Sequence, residues 1–214
     1  MTESELRELA GQLRKPDGEQ GIKVGEMMQF TNSNLISKAI EALGIRDNDT
    51  VLEIGPGNGS HIQTAFRILE NIRYHGIDIS ETMIQEAEKV SNGNSNVTFT
   101  LTDGKSIPFS SDTFDKIITA NTIYFWDDPG QYSKEILRIM KAGGRLSIGF
   151  IPKSTMQHIP FAKYGFTMYD IESVRVLLEK AGLQNITADS YSEMVTSNSG
   201  EQIKREFVIV TALK

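Results

Sequence analysis

Three glycines at alternate positions form the part of the sequence whose spacing points most directly to chemistry. They lie in an apolar, β-rich stretch that reads Val51-Leu52-Glu53-Ile54-Gly55-Pro56-Gly57-Asn58-Gly59. Because glycine has no Cβ, a ligand can lie against the backbone there, and a helix that begins just afterwards would offer unpaired N–H groups. The stretch therefore predicts a cradle for a ligand at a strand-to-helix turn. The alternative is a tight turn that binds nothing.

The position of the third glycine distinguishes two classes of cofactor. A nicotinamide dinucleotide site needs the pattern G-x-G-x-x-G, but Ser60 stands where its third glycine should be. The pattern E-x-G-x-G-x-G after a strand instead resembles motif I of the Rossmann-like S-adenosylmethionine-dependent methyltransferases. The resemblance implies that Glu53 faces the ammonium of the cofactor's methionine part. It also implies that the loop from Gly55 to Gly59 passes under the ribose and methionine moieties.

Asp78 is the next residue that the resemblance assigns to the cofactor. It ends a β-rich run 19 residues after Gly59, and its two carboxylate oxygens suit the two ribose hydroxyls. Ile79 and Met83, one turn further on, would lie against the adenine ring. The alternative role for Asp78 is to cap the following helix, for which Ser80 competes.

Two later segments complete the predicted cofactor site. Thr102-Asp103-Gly104 matches the family's adenine-edge position, where a carboxylate accepts a hydrogen bond from the exocyclic amine. The alternative is an ordinary Asp-Gly turn. Asn121 ends the predicted fourth strand, and the resemblance implies that its carbonyl receives the methionine ammonium. These segments follow one another in the family's order and at its spacing.

Methionine and aromatic residues in two glycine-punctuated segments are the candidates for the acceptor pocket. The segments are 21–33 and 153–168, and we expect them to form a mobile lid because a reactive sulfonium must be screened from water. Trp126 and Tyr124, just beyond the fourth strand, would complete the pocket. The predicted acceptor-pocket residues are Met27, Met28, Phe30, Tyr124, Trp126, Phe161, Tyr164 and Phe166. The alternative is that these side chains simply bury one another against the sheet.

Few residues are candidates for acid–base or metal chemistry. Methyl transfer from a sulfonium needs a general base only when the acceptor arrives protonated, and Tyr124 and His158 are the candidates. His61, in the first turn after the glycine loop, and His75, inside a strand, have no convincing catalytic position. We predict no metal, because the three histidines are scattered and no cysteine is present.

The elements that must position these residues alternate between strand and helix patterns. From Thr50 onwards, short β-rich runs are separated by segments of helical periodicity. This alternation predicts a doubly wound α/β fold with a mostly parallel seven-stranded sheet. The runs 184–195 and 205–214, joined by turn residues 197–200, predict a closing hairpin and therefore an antiparallel last strand.

The first part of the chain predicts a helical cap on this sheet. An amphipathic helix opens the chain, and a second helix is expected to begin at Asn32 or Ser33. The stretch 17–25 between them has three glycines and no helical period, so we expect it to be irregular. We therefore divide the chain into an N-terminal helical cap, residues 1–45, and one Rossmann-like S-adenosylmethionine-binding domain, residues 46–214.

Composition and charge narrow the classes of function. The 214 residues include 22 Lys and Arg against 28 Asp and Glu, a net charge of −6, which disfavours a nucleic-acid partner. The lack of cysteine excludes disulfide scaffolds, thiolate metal sites and cysteine nucleophiles. We find no secretion signal and no apolar run of ~18 residues, and expect a cytoplasmic protein without a membrane span.

Together these features favour a methyltransferase that uses S-adenosyl-L-methionine, releases S-adenosyl-L-homocysteine and acts on a small-molecule acceptor. The motif of methyltransferases that modify the amino groups of bases is missing, since Thr-Ile-Tyr follows Asn121. Two alternatives stay open. One is an NAD(P)-dependent oxidoreductase on a related fold, and the other is a non-catalytic module that binds S-adenosylmethionine.

Overall fold

A single seven-stranded sheet organises the part of the chain that the structure describes. The computed structural model describes residues 1–65, 71–91, 93–196 and 202–214. The strands are β1 (Thr50–Ile54), β2 (Arg73–Asp78), β3 (Val97–Leu101), β4 (Phe114–Ala120), β5 (Met140–Phe150), β6 (Gln184–Thr196) and β7 (Gln202–Leu213). Their order is β3-β2-β1-β4-β5-β7-β6; β7 pairs antiparallel with both β5 and β6, and the other pairs are parallel. The predicted doubly wound, mostly parallel sheet with an antiparallel last strand is therefore confirmed. The predicted turn at 197–200 lies outside the described residues.

The helices of the described ranges cover both faces of this sheet. They are α1 (Glu3–Arg14), α2 (Gly18–Thr31), α3 (Ser33–Leu43), α4 (Ile62–Ala65), α5 (Glu81–Ser91), α6 (Pro129–Ile139), α7 (Lys153–Met156) and α8 (Ile171–Ala181). The Asp170 side chain accepts from the Ser173 amide and caps the start of α8, and Gly44 ends α3 in the left-handed conformation. Helix α4 is the one expected just after the glycines, and residues 66–70, which follow Ala65, lie outside the described residues. None of the described helices is both long and apolar enough to cross a membrane.

Helix α2 corrects the prediction of an irregular segment at 17–25. Two of its three glycines, Gly21 and Gly25, lie where the helix touches other parts of the chain too closely for a side chain. A Cβ on Gly21 would lie 2.7 Å from the Pro16 carbonyl carbon, and one on Gly25 would lie 2.8 Å from the Met83 sulfur. Tertiary packing thus selects glycine here despite its low helix propensity, and the sequence pattern alone does not reveal this.

The three N-terminal helices have different positions relative to the sheet. Helix α3 packs on β4, β5 and β7, and Leu35, Ala39 and Leu43 on it are fully buried in the main core. Helices α1 and α2 instead contact segments that follow the carboxyl ends of strands. Arg14 pairs with Asp127 at 2.8 Å beyond β4. The division into a cap and a catalytic domain stays a prediction.

The β6–β7 hairpin is longer than the strand it pairs with. Strand β5 pairs with β7 only from Phe150↔Val208 to Arg145↔Leu213, whereas β6 and β7 pair out to Thr196↔Gln202. The outer half of the hairpin is therefore a two-stranded ribbon. We call residues 191–196 and 202–207 the outer ribbon. It reaches the junction of α2 and α3, where Arg205 donates to the Thr31 carbonyl at 2.7 Å.

Candidate active site

A cleft lies at the carboxyl ends of β1, β2 and β4, where open α/β sheets bind their ligands. It encloses about 1120 Å³ of empty space, including solvent at its mouth. The strand-end loops form one wall, and α1 and α2 form the other. The predicted cofactor residues that line it are Glu53, Gly55, Pro56, Gly57, Asn58, Asp78, Ile79, Met83, Thr102, Asp103, Gly104 and Asn121.

The glycine loop shapes the cleft through its backbone. Gly55, Gly57 and Gly59 all have positive φ, between 58° and 74°. A Cβ on Gly57 would have no atom within 4 Å and would project into the cleft. Gly59, by contrast, is outside the cleft lining, because α5 packs against it and a Cβ there would lie 3.0 Å from the Ala87 Cβ. Gly57 thus leaves space for a ligand, whereas Gly59 leaves space for a helix.

Asp78 ends β2 with its carboxylate in the cleft. Its Oδ1 accepts from the Ser80 amide at 2.9 Å, and its Oδ2 accepts from the Gly57 amide at 3.3 Å. Burial raises the pKa of this carboxyl to about 6, although the backbone amides partly oppose the shift. The Ser80 hydroxyl accepts from the Met83 amide at 3.1 Å and therefore caps α5. The Asp78 side chain is thus oriented by backbone groups and keeps lone pairs for a ligand.

Glu53 is buried beneath the glycine loop and is bound by two ring side chains. The Tyr74 hydroxyl donates to its Oε2 at 2.6 Å, and His61 Nε2 lies 2.9 Å from the same oxygen. The other imidazole nitrogen lies 3.2 Å from the Gln29 amide oxygen on α2. Burial lowers the pKa of His61, but the charge and the hydrogen bond of Glu53 raise it by more, so it lies above its ordinary value. Burial, reinforced by Glu53, raises the pKa of Tyr74 well above its ordinary value.

Two later strand ends complete the same wall of the cleft. Asp103 accepts from two amides of its own turn, and these bonds lower the pKa of its carboxyl. Gly104 has positive φ, and a Cβ there would lie 2.9 Å from the Ile79 side chain. Asn121 also has positive φ, and its side-chain oxygen accepts from the Tyr124 hydroxyl at 2.9 Å. The Asp-Gly turn predicted as the alternative is therefore present, and it borders the cleft.

Two of the eight predicted acceptor-pocket residues, Met28 and Trp126, line the cleft. On α2, the lining residues Gly25, Met28, Gln29 and Asn32 follow helical spacing and share one face. Met27 and Phe30 lie outside that lining and are 40% and 84% exposed. Met27, Met28 and Phe30 point in different directions from the helix, so only one of the three can face the cleft.

The remaining aromatic candidates lie behind the cleft or beside it. Phe166 stacks edge-on against Phe125, with ring centroids 4.6 Å apart, and Phe161 packs on Phe166 at 5.6 Å. Tyr164 lies under the Arg7 guanidinium of α1, 4.5 Å from ring centroid to Cζ. These residues and Tyr124 fall outside the described cleft lining.

The two candidates for a general base are poorly placed for that role. Tyr124 is buried, its hydroxyl is engaged with Asn121 and Ile151, and burial raises its pKa. His158 is exposed and lies beside Gln157, outside the described cleft lining. Within the described ranges, no group of three or more His, Asp and Glu side chains could hold a metal ion.

Several lining residues were missed by the sequence argument. They come mainly from α1, α2 and the segment that follows β4, and they are Leu13, Arg14, Pro16, Gln29, Asn32, Ile36, Thr122, Asp127 and Tyr132. No local motif marks these residues, because their contacts with the cleft span long distances in sequence. The contact between His61 and Glu53 was missed as well, although a histidine two residues after Gly59 is close enough in sequence to turn back.

Comparison with known proteins places the chain in a family. The sequence profile described as "Methyltransferase domain" matches residues 45–189. The chain is 30% identical over 129 residues to the uncharacterized methyltransferase YdaC of Bacillus subtilis, which covers 60% of this chain and 71% of YdaC. It spans smaller shares of other curated relatives, between 30% and 61% of their length.

Solved structures share the fold at low sequence identity. A chain of the Haloferax volcanii complex between the Trm112 methyltransferase activator and a methyltransferase has a TM-score of 0.79 at 18% identity, covering 90% of this chain and 93% of that chain. Haemonchus contortus phosphoethanolamine N-methyltransferase 2, solved with phosphomonomethylethanolamine and S-adenosylhomocysteine, has a TM-score of 0.72 at 15% identity. That match covers 98% of this chain and 60% of the other.

The cleft residues fit S-adenosylmethionine. The space beyond Gly57 has room for a ligand against the backbone, and the oriented Asp78 carboxylate offers two acceptors to a diol. The buried Glu53 supplies a negative charge that suits an ammonium group. The comparisons give no support to a nicotinamide-dependent oxidoreductase. The chain therefore belongs to the methyltransferase domain family, and it is an S-adenosylmethionine-dependent methyltransferase.

Proposed function

We propose that this protein transfers the methyl group of S-adenosylmethionine to a small-molecule acceptor held between the cofactor and α1 and α2. The observation that carries the proposal is that one cleft contains both the glycine cradle and an apolar wall. Leu13, Met28, Phe125 and Trp126 contribute to that wall. A cleft closed on two sides suits a small molecule better than a polymer.

In this proposal each strand end binds one part of the cofactor. Glu53 pairs with the ammonium, and Asp78 accepts hydrogen bonds from the ribose hydroxyls. Ile79 and Met83 contact the adenine face, and the Asp103 carboxylate accepts a hydrogen bond from the exocyclic amine. The amide or carbonyl of Asn121, which lies in the cleft wall beside Thr122, completes the contacts to the methionine part.

The cofactor supplies an electrophilic methyl group on a sulfonium, and the protein supplies alignment and exclusion of water. Met28 and Trp126 both line the cleft and leave less room in it for water. No histidine is among the described residues that line it; burial raises the pKa of the lining Tyr132, and the lining Asp127 is paired with Arg14 at 2.8 Å. We therefore infer an acceptor whose attacking atom is nucleophilic without a protein base, such as a free amine or an acidic carbon or hydroxyl.

A screen for release of S-adenosylhomocysteine tests this function. The protein is incubated with S-adenosylmethionine and a metabolite library. The Asp78→Ala variant, treated in the same way, is the negative control. Removal of hydrogen bonds to a charged acceptor costs ~1.5 to 3 kcal/mol, so Asp78→Ala should bind cofactor roughly ten- to a hundredfold more weakly. A metabolite that raises product release only with the wild type identifies the acceptor.

Calorimetric titration separates the remaining possibilities. Binding of S-adenosylhomocysteine without binding of NAD(H) is the expected result. The opposite preference would reject the methyltransferase. Binding without turnover across acidic, basic and neutral metabolites of every class would instead favour the non-catalytic module.

A further inference from the structure

His61 is a buried titratable residue of the site that the proposed reaction does not use. Its side chain is 8% exposed, and it lies behind Glu53 rather than among the described residues that line the cleft. Nε2 is 2.9 Å from Glu53 Oε2, and Nδ1 is 3.2 Å from Gln29 Oε1. Gln29 lies on α2 and lines the cleft. The imidazole therefore connects a strand-end carboxylate with the opposite wall.

The hydrogen bonds to Glu53 leave one carboxylate oxygen available. Among the described residues, the side-chain hydrogen bonds to Glu53 come from His61 and Tyr74, and both end on Oε2. Two donors on one oxygen restrict rotation of the carboxylate, so Oε1 has a defined direction. A carboxylate in a cleft with one oxygen bound from behind can receive a cation with the other.

We propose that His61 is a positioning residue for the cofactor's ammonium group, holding the Glu53 carboxylate in place and connecting it to α2 through Gln29. This inference rests on the proposed role of Glu53. A cation at Glu53 opposes a positive imidazolium on the same carboxylate, because like charges at short range disfavour each other. Cofactor binding therefore favours neutral His61, which still donates from Nε2 and accepts at Nδ1 once the Gln29 amide turns its nitrogen toward it, and the excess proton is released.

The proton release caused by His61 must be distinguished from that of the other titratable groups near it. Glu53 on β1 faces it directly, and Tyr74 on β2 stays neutral because its pKa is raised well above the ordinary value. Asp78, at the end of β2, titrates at about pH 6 and acts with the same sign, because its charged form accepts ribose hydroxyls better. Helix α2 contributes the neutral Gln29. A variant of His61 that keeps Asp78 isolates the histidine.

The test is calorimetry with S-adenosylhomocysteine at pH 6.5 and pH 8, in buffers of different ionisation enthalpy. His61→Gln should bind roughly tenfold more weakly than wild type at pH 8, because Glu53 loses a hydrogen bond and its fixed orientation. It should also release fewer protons on binding at pH 6.5. His75→Gln, which changes a histidine of β2 that contacts Thr98, is the matched control and should behave as wild type.

A merely structural role would lower affinity without changing proton release. Tyr74→Phe provides that comparison. It removes a hydrogen bond to Glu53 Oε2 from a hydroxyl that stays protonated between pH 6.5 and pH 8. Equal affinity and equal proton release in His61→Gln and wild type would overturn the inference. Failure of wild type to bind S-adenosylhomocysteine at all would instead overturn the proposed function, and this inference with it.

A second measurement does not depend on the folding of His61→Gln. The chain has three histidines, and their imidazole NMR signals can be assigned with His75→Gln and His158→Gln. S-adenosylhomocysteine should lower the pKa of His61 in the wild type. An unchanged or raised pKa in the saturated complex would contradict the competition between the ammonium and the imidazolium.

Discussion

A substitution at Gly57 tests whether the glycine loop binds the cofactor. Gly57→Ala places a methyl group in open space within the cleft, so the apo protein has no clash but the cofactor does. We expect affinity for S-adenosylhomocysteine to fall roughly tenfold or more. Calorimetric titration measures this change directly.

The control for Gly57 is Gly44, which has nearly the same backbone conformation. Their φ values are 58° and 57°, and neither Cβ would have an atom within 4 Å. Alanine at either position costs about 1 to 2 kcal/mol of stability, because a Cβ is strained in the left-handed region. Gly44 ends α3 away from the cleft, so Gly44→Ala should keep the wild-type affinity for S-adenosylhomocysteine. If both variants lost affinity equally, strain rather than contact would explain the loss.

Asp78 makes the stability of the apo protein depend on pH. Burial raises its pKa from 3.8 to about 6, so the folded state binds the proton more tightly than the unfolded state does. Between about pH 4 and pH 6 this residue therefore lowers the free energy of unfolding as pH rises. Asp78→Asn removes the charge, and its stability relative to wild type should increase across this window by up to about 3 kcal/mol.

Urea unfolding of both proteins without ligand, at pH 4 and pH 7, measures the effect. Asp189→Asn, which changes an exposed carboxylate on β6, is the control for the loss of a solvent-exposed carboxylate. If the difference in unfolding free energy between Asp78→Asn and wild type were the same at pH 4 and pH 7, Asp78 would not be desolvated in solution.

At the scale of elements, the two predicted lid segments have different relations to the cleft. Segment 21–33 places Gly25, Met28, Gln29 and Asn32 in its lining. Segment 153–168 lies outside that lining and buries Met156 and Ala162 in the core. We therefore expect S-adenosylhomocysteine to slow amide hydrogen exchange strongly in 21–33 and only weakly in 153–168.

Hydrogen exchange with and without ligand checks this expectation, with peptides from α8 as an internal reference. Fast exchange in 21–33 of the apo protein, followed by protection on binding, would establish a mobile lid. Strong protection of both segments before ligand is added would make them ordinary core, as the alternative holds.

The outer ribbon fixes the junction between α2 and α3. Arg205 binds Glu193 on the partner strand as well as the Thr31 carbonyl and the Asn32 side chain. The side chains of Arg205 and Glu193 are 10% and 12% exposed. Arg205→Ala leaves Glu193 buried without its cation, and we expect a loss of about 3 to 5 kcal/mol in unfolding free energy.

Lys204, the exposed neighbour of Arg205 on β7, provides the control. Lys204→Ala should change stability by no more than about 0.5 kcal/mol in the same denaturant titration. Adding Glu193→Gln to Arg205→Ala should restore part of the loss, because it removes the unpaired charge. A loss below 1 kcal/mol for Arg205→Ala would mean that the pair is solvated.

For the whole molecule, the sequence predicted the sheet and one wall of the cleft but little of the other wall. Strand ends carry local signals, because glycines, Asp78 and Asn121 follow β-rich runs directly. The wall formed by α1 and α2 has no such signal, since two glycines that predict an irregular segment fit the close approach of α2 to Pro16 and Met83 instead. Aromatic composition suggested 153–168 for that wall, but these rings pack behind Phe125 instead.

The contacts that hold the N-terminal helices have a consequence for how the chain folds during synthesis. Arg14 pairs with a residue 113 positions later, and Thr31 is bound by one 174 positions later. Contacts of such separation form late, because closing long loops costs entropy. Helices α1 and α2 therefore leave the ribosome long before their partners exist. Their cleft-facing apolar side chains, such as Leu13 and Met28, therefore stay uncovered in the nascent chain until the later partners have been synthesised.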